Sequence, residues 1–246
     1  MITAPGRLFF LALGAVSIFF HIGLIFSGLV PNLVARPLHL MLALPWIFLF
    51  RGGSRYTLVS GAVLCAAGEL ACLYVVLNEL KLSDQYGSLE GNGQLVLPIT
   101  LLGVVLEMAR RAIGWPLPMV ALVAIVYGLF GQYLPGEFGY PGLPVESFLG
   151  TVTIAEGGIW GSLTGISVNI VAIFVIMGAV LNAGEAGQGF MNLATAAAGR
   201  LRGGAAKVSV LSSAFFGSIS GSASANVAST GAITLPVMRR LGYPPA

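Results

Sequence analysis

Long apolar stretches, separated by short polar or charged segments, occupy most of the chain. A helix needs about 20 apolar residues to cross a bilayer core of about 30 Å. Six stretches approach that length, and we predict a membrane-crossing helix for each, at residues 8–30, 38–50, 57–77, 95–113, 116–133 and 159–182. The second is short, and it begins earlier if Arg36 snorkels to the interface. A loop rich in Gly and Pro is predicted at 135–158.

The positive charges orient these helices. Cytoplasmic segments of membrane proteins carry an excess of Lys and Arg. If the N-terminus is cytoplasmic and all six helices cross, Arg36 and Lys81 face outward, and the residues that face the cytoplasm are Arg7, Arg51, Arg55, Arg110, Arg111, Arg200, Arg202 and Lys207. The bias supports six crossings and predicts a cytoplasmic N-terminus.

The C-terminal part of the chain has a different pattern. Residues 187–201 are rich in Ala and only mildly apolar, which favours a helix lying along the membrane interface. The apolar stretch 208–238 is interrupted by Ser and Gly, and an Arg pair follows it. A single crossing would place that pair outside, whereas a re-entrant hairpin keeps both ends in the cytoplasm. One long, kinked helix is the alternative.

Composition agrees with this interpretation. Hydrophobic residues make up 57% of the chain and charged residues 9%, whereas soluble domains carry about 25% charged residues. A disordered chain, a soluble globule and a nucleic-acid-binding protein are therefore excluded. We predict an all-α integral membrane protein with about six transmembrane helices, an interfacial helix and a re-entrant helical hairpin.

The middle of the last apolar stretch is the strongest candidate site. Ten of the fifteen residues at 217–231 are Gly, Ser, Thr or Asn. Irregular backbone at membrane depth is tolerated only within protein or beside a water-filled cavity. Its carbonyl and hydroxyl oxygens suit Na⁺, and the helix that restarts after the break offers N–H groups to an anion. The alternative is a packing face of small residues, with hydroxyls bonded back to their own helix.

Other polar residues within the predicted helices are weaker candidates. Glu69 is either a proton site or a hydrogen-bonded packing residue, and Asn169 could line a site. His21 is interpreted as a structural histidine. The sequence contains no Walker motif, so this chain does not itself couple ATP hydrolysis. It also contains no catalytic Ser/His/Asp pattern, and we expect a protein that is not an enzyme.

Three segments resemble a known family, the permeases of tripartite ATP-independent periplasmic (TRAP) transporters. They are LEMARRAIGWPLPMVALVAIVYGLFGQYLPG, IAEGGIWGSLTGISVNIVAIFVIMGAVLNAGEAGQGF and GRLRGGAAKVSVLSSAFFGSISGSASANVASTGAITLPVMRRLGYPPA. The last resembles the first hairpin of the large membrane domain. The closer resemblance is to fused permeases that work with binding proteins of the TAXI class. It is strong from about residue 95 onward and weak before it.

The resemblance implies both domains and function. Residues 1–113 correspond to the small, scaffold domain of about four helices, and 114–246 to the start of the large domain. The family implies Na⁺-driven, elevator-type uptake of organic acids, which a periplasmic protein of the TAXI class delivers. It further implies a location in the cytoplasmic (inner) membrane of a bacterium or archaeon, with lipid and a small carboxylate as partners and no nucleic acid. No cofactor is expected beyond Na⁺ as the coupling ion.

The resemblance also assigns site residues by position. Ser218, Ser220, Gly221, Ser222 and Asn226 fall in the binding tip of the hairpin. Of these, Ser220, Gly221 and Ser222 are assigned to Na⁺ or substrate contact and Asn226 to support. The possible secondary site residues are Ser224, Asn169 and Glu69. Relatives often have an apolar residue where this sequence has Ser224.

Family members continue for several hundred residues, through a second hairpin. On this resemblance the remainder of the large domain is missing, and the 246 residues alone are expected not to transport. The competing hypothesis is a membrane scaffold that only packs against another permease chain. It predicts neither stabilisation by Na⁺ nor any effect of substitutions at the tip.

Overall fold

The computed structural model describes residues 4–28, 30–50, 54–184, 186–219 and 223–243. Within these ranges the regular structure is helical, without strands, which confirms the predicted all-α class. Contacts divide the chain into two compact units, Met1–Val168 and Asn169–Ala246. This boundary differs from the division predicted at residue 113, which concerns the family's domains and stays a prediction.

The α-helices are numbered in chain order. Those that begin in the first unit are α1 (Ala4–Ser27), α2 (Asn32–Phe48), α3 (Arg55–Leu77), α4 (Glu79–Asp84), α5 (Val96–Ile113), α6 (Pro116–Phe130), α7 (Val145–Thr153) and α8 (Ser162–Ile166). A π-helical segment, Ser167–Val171, follows α8 and contains the boundary between the units. The second unit continues with α9 (Ala172–Ala183), α10 (Ala186–Ala198), α11 (Gly204–Ile219) and α12 (Ala223–Arg240).

Four helical stretches are long and apolar enough to cross a membrane: Gly6–Ser27, Arg55–Leu77, Pro116–Tyr133 and Val145–Leu181. They cover four of the six predicted crossings. The other two also form helices, namely α2, which is shorter, and α5, which carries three charged residues near its end. The membrane fold is therefore confirmed, whereas crossings by α2 and α5 stay a prediction.

Close contact among α2, α3 and α5 forms the core of the first unit. Leu44, Cys72 and Leu101 are fully buried there. Gly68 in α3 permits this approach, because a Cβ at this position would lie 2.7 Å from Leu44 Cδ1 and 2.9 Å from Val104 Cγ1. Small residues at helix contacts let membrane helices pack closely, since lipid supplies no hydrophobic drive for their association.

The loop predicted at 135–158 is wrong in its second half, where α7 forms. Val145, Phe148, Leu149 and Val152 recur at the spacing of one helix face, and Leu149 is buried in the core. The helix is only nine residues long, so its apolar pattern is weak beside the surrounding Gly and Pro.

The sixth predicted helix, at 159–182, is likewise interrupted. The chain passes from a 3₁₀ turn at Gly158–Trp160 into α8 and then into the π-helical segment before α9. Trp160 is fully buried and donates from its indole Nε1 to the Thr153 carbonyl at 2.7 Å. This bond folds the 3₁₀ turn back onto the end of α7.

In the second unit, α10 packs on α11, and α11 packs on α12. Met191, Ala194, Ala198 and Val208 form its small core. The helix predicted at 187–201 corresponds to α10, and its place along the membrane interface stays a prediction. Gly203, with φ +68°, turns the chain between α10 and α11, because left-handed backbone favours glycine.

Candidate functional site

The stretch at 208–238 is a hairpin of two antiparallel helices and not one long, kinked helix. The arm α11 ends at Ile219, and the arm α12 begins at Ala223. Ser213 meets Asn226 near the tip, and Ser209 meets Thr234 further from it, as antiparallel arms require. The hairpin prediction is therefore confirmed in shape, while its entry into a membrane from the cytoplasmic side stays a prediction.

Three of the predicted site residues, Ser220, Gly221 and Ser222, lie outside the described residues. The described structure ends on one side of them at Ile219 and resumes at Ala223. The side chain of Ser224 is likewise outside the described side chains. The Na⁺ assignment to Ser220, Gly221 and Ser222 therefore stays a prediction.

Asn226 joins the two arms. Its Nδ2 donates to the Ser213 carbonyl at 3.0 Å, and its Oδ1 accepts from Ser213 Oγ at 3.4 Å and from Thr230 Oγ1 at 3.2 Å. An amide has two donor positions and a carbonyl oxygen with two lone pairs, so these three bonds use most of its capacity. The position suits the supporting role predicted for Asn226.

A polar seam continues from Asn226 away from the tip. Ser209 Oγ donates across the arms to Thr234 Oγ1 at 3.1 Å, and Thr234 Oγ1 donates to the Thr230 carbonyl at 2.8 Å. Thr230 and Thr234 are both buried. Our sequence reasoning missed Ser209, Ser213 and Thr234. The available signal was the spacing of Asn226, Thr230 and Thr234, which at four-residue intervals lie on one helix face.

Ser218 differs from these seam residues. It is exposed, and its hydroxyl donates to the carbonyl of Phe215 in its own helix at 2.7 Å. The back-bonded alternative raised from the sequence therefore describes Ser218. It also describes Ser212, a buried residue whose hydroxyl bonds to the Ser209 carbonyl at 3.1 Å.

The other two secondary candidates, Glu69 and Asn169, belong to different units. Glu69 is half-buried on α3 and faces a cavity of about 490 Å³ whose other walls come mainly from apolar side chains of α1 and α2. Among the described residues it has no hydrogen-bond or ion-pair partner. Asn169 lies in the π-helical segment, where its side chain is exposed and makes no hydrogen bond to the described part of the hairpin. Neither residue's functional role is tested by these contacts.

The family match follows the part of the chain that carries the hairpin. Residues 100–246 match the model of the family described as "Tripartite ATP-independent periplasmic transporter, DctM component". Because this range covers more than half of the chain, the protein belongs to that family. The predicted TRAP resemblance is thus confirmed, and the non-enzyme expectation agrees with it.

The curated relatives include transport proteins with named substrates. The chain is 31% identical to the isethionate TRAP transporter permease protein DctMQ of Oleidesulfovibrio alaskensis, over 58% of this chain and 24% of that protein. It is 37% identical to the C4-dicarboxylate TRAP transporter large permease protein DctM of Pseudomonas aeruginosa, over 31% of this chain and 18% of that protein.

A third relative, "Uncharacterized protein y4mL" of Sinorhizobium fredii, is 30% identical over 57% of this chain and 29% of its own length. The chain thus spans less than a third of the length of each of these three relatives. No solved structure matches it. The family and the apolar helices together support a multi-pass protein of the inner membrane.

Proposed function

We propose that the chain is part of a permease that uses a Na⁺ gradient to take up small organic acids. The observation that carries this proposal is the hairpin, which lies within the family match and whose arms are joined by a polar seam ending at Asn226 next to the tip. Hydrogen bonds between the arms would keep the ion-coordinating oxygens of the tip in the same positions before and after the ion binds. The coupling ion is Na⁺, and no other cofactor is proposed.

The ion would bind at Ser220, Gly221 and Ser222. Hydroxyl and carbonyl oxygens are hard ligands that suit an alkali cation, and three consecutive residues between two helices can present several of them together. Ser218 and Asn226 flank this segment on the two arms. Asn226 would act by holding the arms in register and not by touching the ion.

The same tip offers a site for a carboxylate. The first N–H groups of α12 follow directly after Ser222, and the 18-residue helix adds a positive dipole end there. Isethionate and C4-dicarboxylates, named for two of the relatives, are small organic anions. We therefore propose an organic acid as the substrate, bound close to the cation so that each offsets the charge of the other.

The transport cycle would follow the family pattern. A periplasmic protein of the TAXI class delivers the substrate to a permease in which the small and large domains are fused. The part of the large domain that carries the hairpin then moves elevator-fashion against the scaffold. The resemblance at the join, LEMARRAIGWPLPMVALVAIVYGLFGQYLPG, supports the fused form.

The test is uptake by the complete permease in proteoliposomes, with its binding protein and a panel of radiolabelled organic acids. An imposed inward Na⁺ gradient should drive accumulation, and replacing Na⁺ by K⁺ should abolish it. The double substitution Ser220→Ala and Ser222→Ala removes two hydroxyl ligands, and we expect it to raise the Na⁺ concentration for half-maximal uptake at least tenfold. The matched control is Ser212→Ala, which removes a hydroxyl from the same hairpin away from the tip.

Three results would contradict the proposal in separable ways. Uptake that is indifferent to Na⁺ refutes the coupling ion. Unchanged Na⁺ dependence in the double variant refutes the tip site but leaves Na⁺ coupling standing. Accumulation of none of the organic acids, by a permease that still binds its partner chains, favours the scaffold hypothesis.

A further inference from the structure

The two histidines of the chain are hydrogen-bonded to each other in the first unit, outside the hairpin. His21 on α1 and His39 on α2 place Nε2 and Nδ1, respectively, 2.8 Å apart. The other ring nitrogen of His21, Nδ1, lies 2.7 Å from the Ser17 carbonyl, and that of His39, Nε2, lies 3.1 Å from Ser167 Oγ. His21 is 6% exposed, so its ring is buried between these partners.

This chain of contacts determines where the protons lie. The Ser17 carbonyl can only accept, so His21 Nδ1 carries a hydrogen. A neutral imidazole has one N–H, so His21 Nε2 accepts and His39 Nδ1 must donate to it. His39 Nε2 is then without a hydrogen and accepts from the Ser167 hydroxyl. When both rings are neutral, all three hydrogen bonds therefore run in the same direction, each donor lying on the Ser167 side and each acceptor on the Ser17 side.

This row of hydrogen bonds can accept one added proton but not a second. A proton transferred from hydronium to His39 Nε2 forms an N–H bond that can point at Ser167 Oγ. The Ser167 hydroxyl can then turn to a carbonyl of the preceding helical turn, as serines in helices do. A further proton at His21 Nε2 would set two N–H groups against each other across 2.8 Å.

We propose that His21, His39 and Ser167 form a binding site for a single proton, which enters at His39 Nε2. Binding of the proton reverses the Ser167 hydroxyl while leaving the bond between the two rings in place. Ser167 is the first residue of the π-helical segment, and π-helical turns are common at functional positions. Proton binding would therefore change the charge next to Ser167, where the helix changes from α-helical to π-helical geometry.

Other charged and titratable groups surround the histidine pair. Arg36, one turn before His39 on α2, donates to the Trp160 carbonyl and lies against Gly165, so a fixed positive charge is near the entry point. On α3, Glu69 and Cys65 line the cavity shared with α1 and α2. Glu156 accepts a hydrogen bond from Asn32 at the start of α2. The other titratable groups of elements that contact α1, α2 or the 158–167 segment are Arg7, Arg55, Tyr56, Cys72, Tyr74, Glu79, Lys81, Asp84, Glu107, Arg110, Arg111 and Glu146.

The test is NMR of the complete permease labelled with ¹⁵N at histidine, reconstituted in bilayers. In the variant His39→Gln the signals of His39 disappear and those of His21 shift, which distinguishes the pair from any other histidines of the complete permease. Near neutral pH both rings should carry their hydrogen at Nδ1, and a coupling should be visible between His39 Nδ1 and His21 Nε2. On acidification one additional hydrogen should become bonded to His39 Nε2, while His21 Nε2 should remain without a hydrogen.

Two variants extend the test. In His21→Phe the acceptor for His39 Nδ1 is lost, so His39 should move its hydrogen to Nε2 and donate to Ser167. The matched control is Ser17→Ala, because Ser17 contributes only its carbonyl to the chain and its hydroxyl bonds to the Leu13 carbonyl. That control should leave both rings unchanged. A hydrogen at Nε2 of either wild-type ring near neutral pH, or two protons taken up by the pair, would overturn the proposal.

Discussion

The amide of Asn226, the fourth residue of α12, is hydrogen-bonded to both the carbonyl and the hydroxyl of Ser213 and so joins α12 to α11. Among the hydrogen bonds between described residues of the two arms, these lie nearest the tip. This pair therefore joins the two arms close to the helix ends that flank the predicted ion-binding residues.

The first prediction concerns this pair. Asn226→Ala removes three hydrogen bonds and leaves the partly buried Ser213 of the opposite arm and the buried Thr230 hydroxyl without this partner, so it should destabilise the hairpin by about 1–3 kcal/mol. Exposed Ser218→Ala, which removes one hydroxyl bonded to its own helix, should change stability by about 0.5 kcal/mol or less. Protease resistance of the hairpin in the purified permease measures both. Equal resistance in the two variants would show that the pair does not hold the arms.

The second prediction concerns Arg111, which connects three helices. Its guanidinium donates to Glu107 on α5 and Ser60 on α3, and it lies 5.0 Å from the Phe48 ring on α2. We expect Arg111→Ala to destabilise the first unit by about 1–3 kcal/mol. Arg110→Ala is the matched control, because Arg110 bonds to Glu107 within α5 and stacks on nearby Trp115, and its effect should be smaller.

Cys65 and Cys72 provide the measurement for Arg111. Both thiols are free and buried on α3, so a thiol-reactive fluorophore labels them only after the first unit opens. The temperature of half-maximal labelling should fall further in Arg111→Ala than in Arg110→Ala. The reverse order would refute the assignment of the three-helix contact to Arg111.

The third prediction compares two helical glycines. A Cβ at Gly150 in α7 would collide with the Gly87 carbonyl, so Gly150→Ala should cost about 1–3 kcal/mol. A Cβ at Gly103 in α5 meets no atom within 4 Å, and Gly103→Ala should stabilise the helix by about 0.5–1 kcal/mol. Thiol labelling at increasing temperature should show the two variants shifted in opposite directions. A neutral Gly150→Ala would mean that α7 can move away from Gly87 freely.

The fourth prediction is a pH dependence outside the membrane helices. A hydrogen bond from Lys81, at 3.0 Å, lowers the pKa of the Glu90 carboxyl, and the same bond raises the pKa of Lys81. The stabilisation by Glu90 is therefore present above the usual pKa of a glutamate and is lost as the pH falls through its lowered value. The contribution of Lys81 is lost at the opposite, alkaline end.

Lys81→Met tests this pair. Without the ammonium group, the pKa of Glu90 should rise toward its ordinary value, as a ¹³C titration of the labelled carboxyl would show. The change in stability should be small, because both side chains are more than half exposed. A Glu90 titration that is the same with and without Lys81 would show that the ion pair does not form in solution.

Hydropathy and charge were sufficient to predict the helical membrane fold and the hairpin. The bilayer imposes a length on each crossing, and the Arg239–Arg240 pair restricts how the last stretch can run. The same pattern could not predict α7, because nine residues between Gly and Pro segments carry too little periodicity. The position of α7 depends on Gly150, which has no Cβ and so can lie against the Gly87 carbonyl. Gly87 is distant in sequence, so the local pattern does not reveal this contact.

The candidate site was predictable to a different degree. Repetition of Ser and Gly marked the tip, and Asn226 was assigned a supporting role. The pairing of Asn226 with Ser213 depends on the rotation of each arm about its axis, which composition does not record. His39 drew no attention in the sequence for the same reason, since its significance lies in facing His21 from another helix.

The polar seam of the hairpin has a consequence for how the protein is made. If the hairpin enters the bilayer as predicted, an isolated α12 would carry Asn226 and Thr234 into hydrocarbon without their partners Ser213 and Ser209, whereas in the closed hairpin those bonds are already formed. Exposed Val210, Val227 and Leu235 meanwhile give the closed pair an apolar exterior. We therefore expect the two arms to leave the translocation machinery together, with the hydrogen bonds between them already formed.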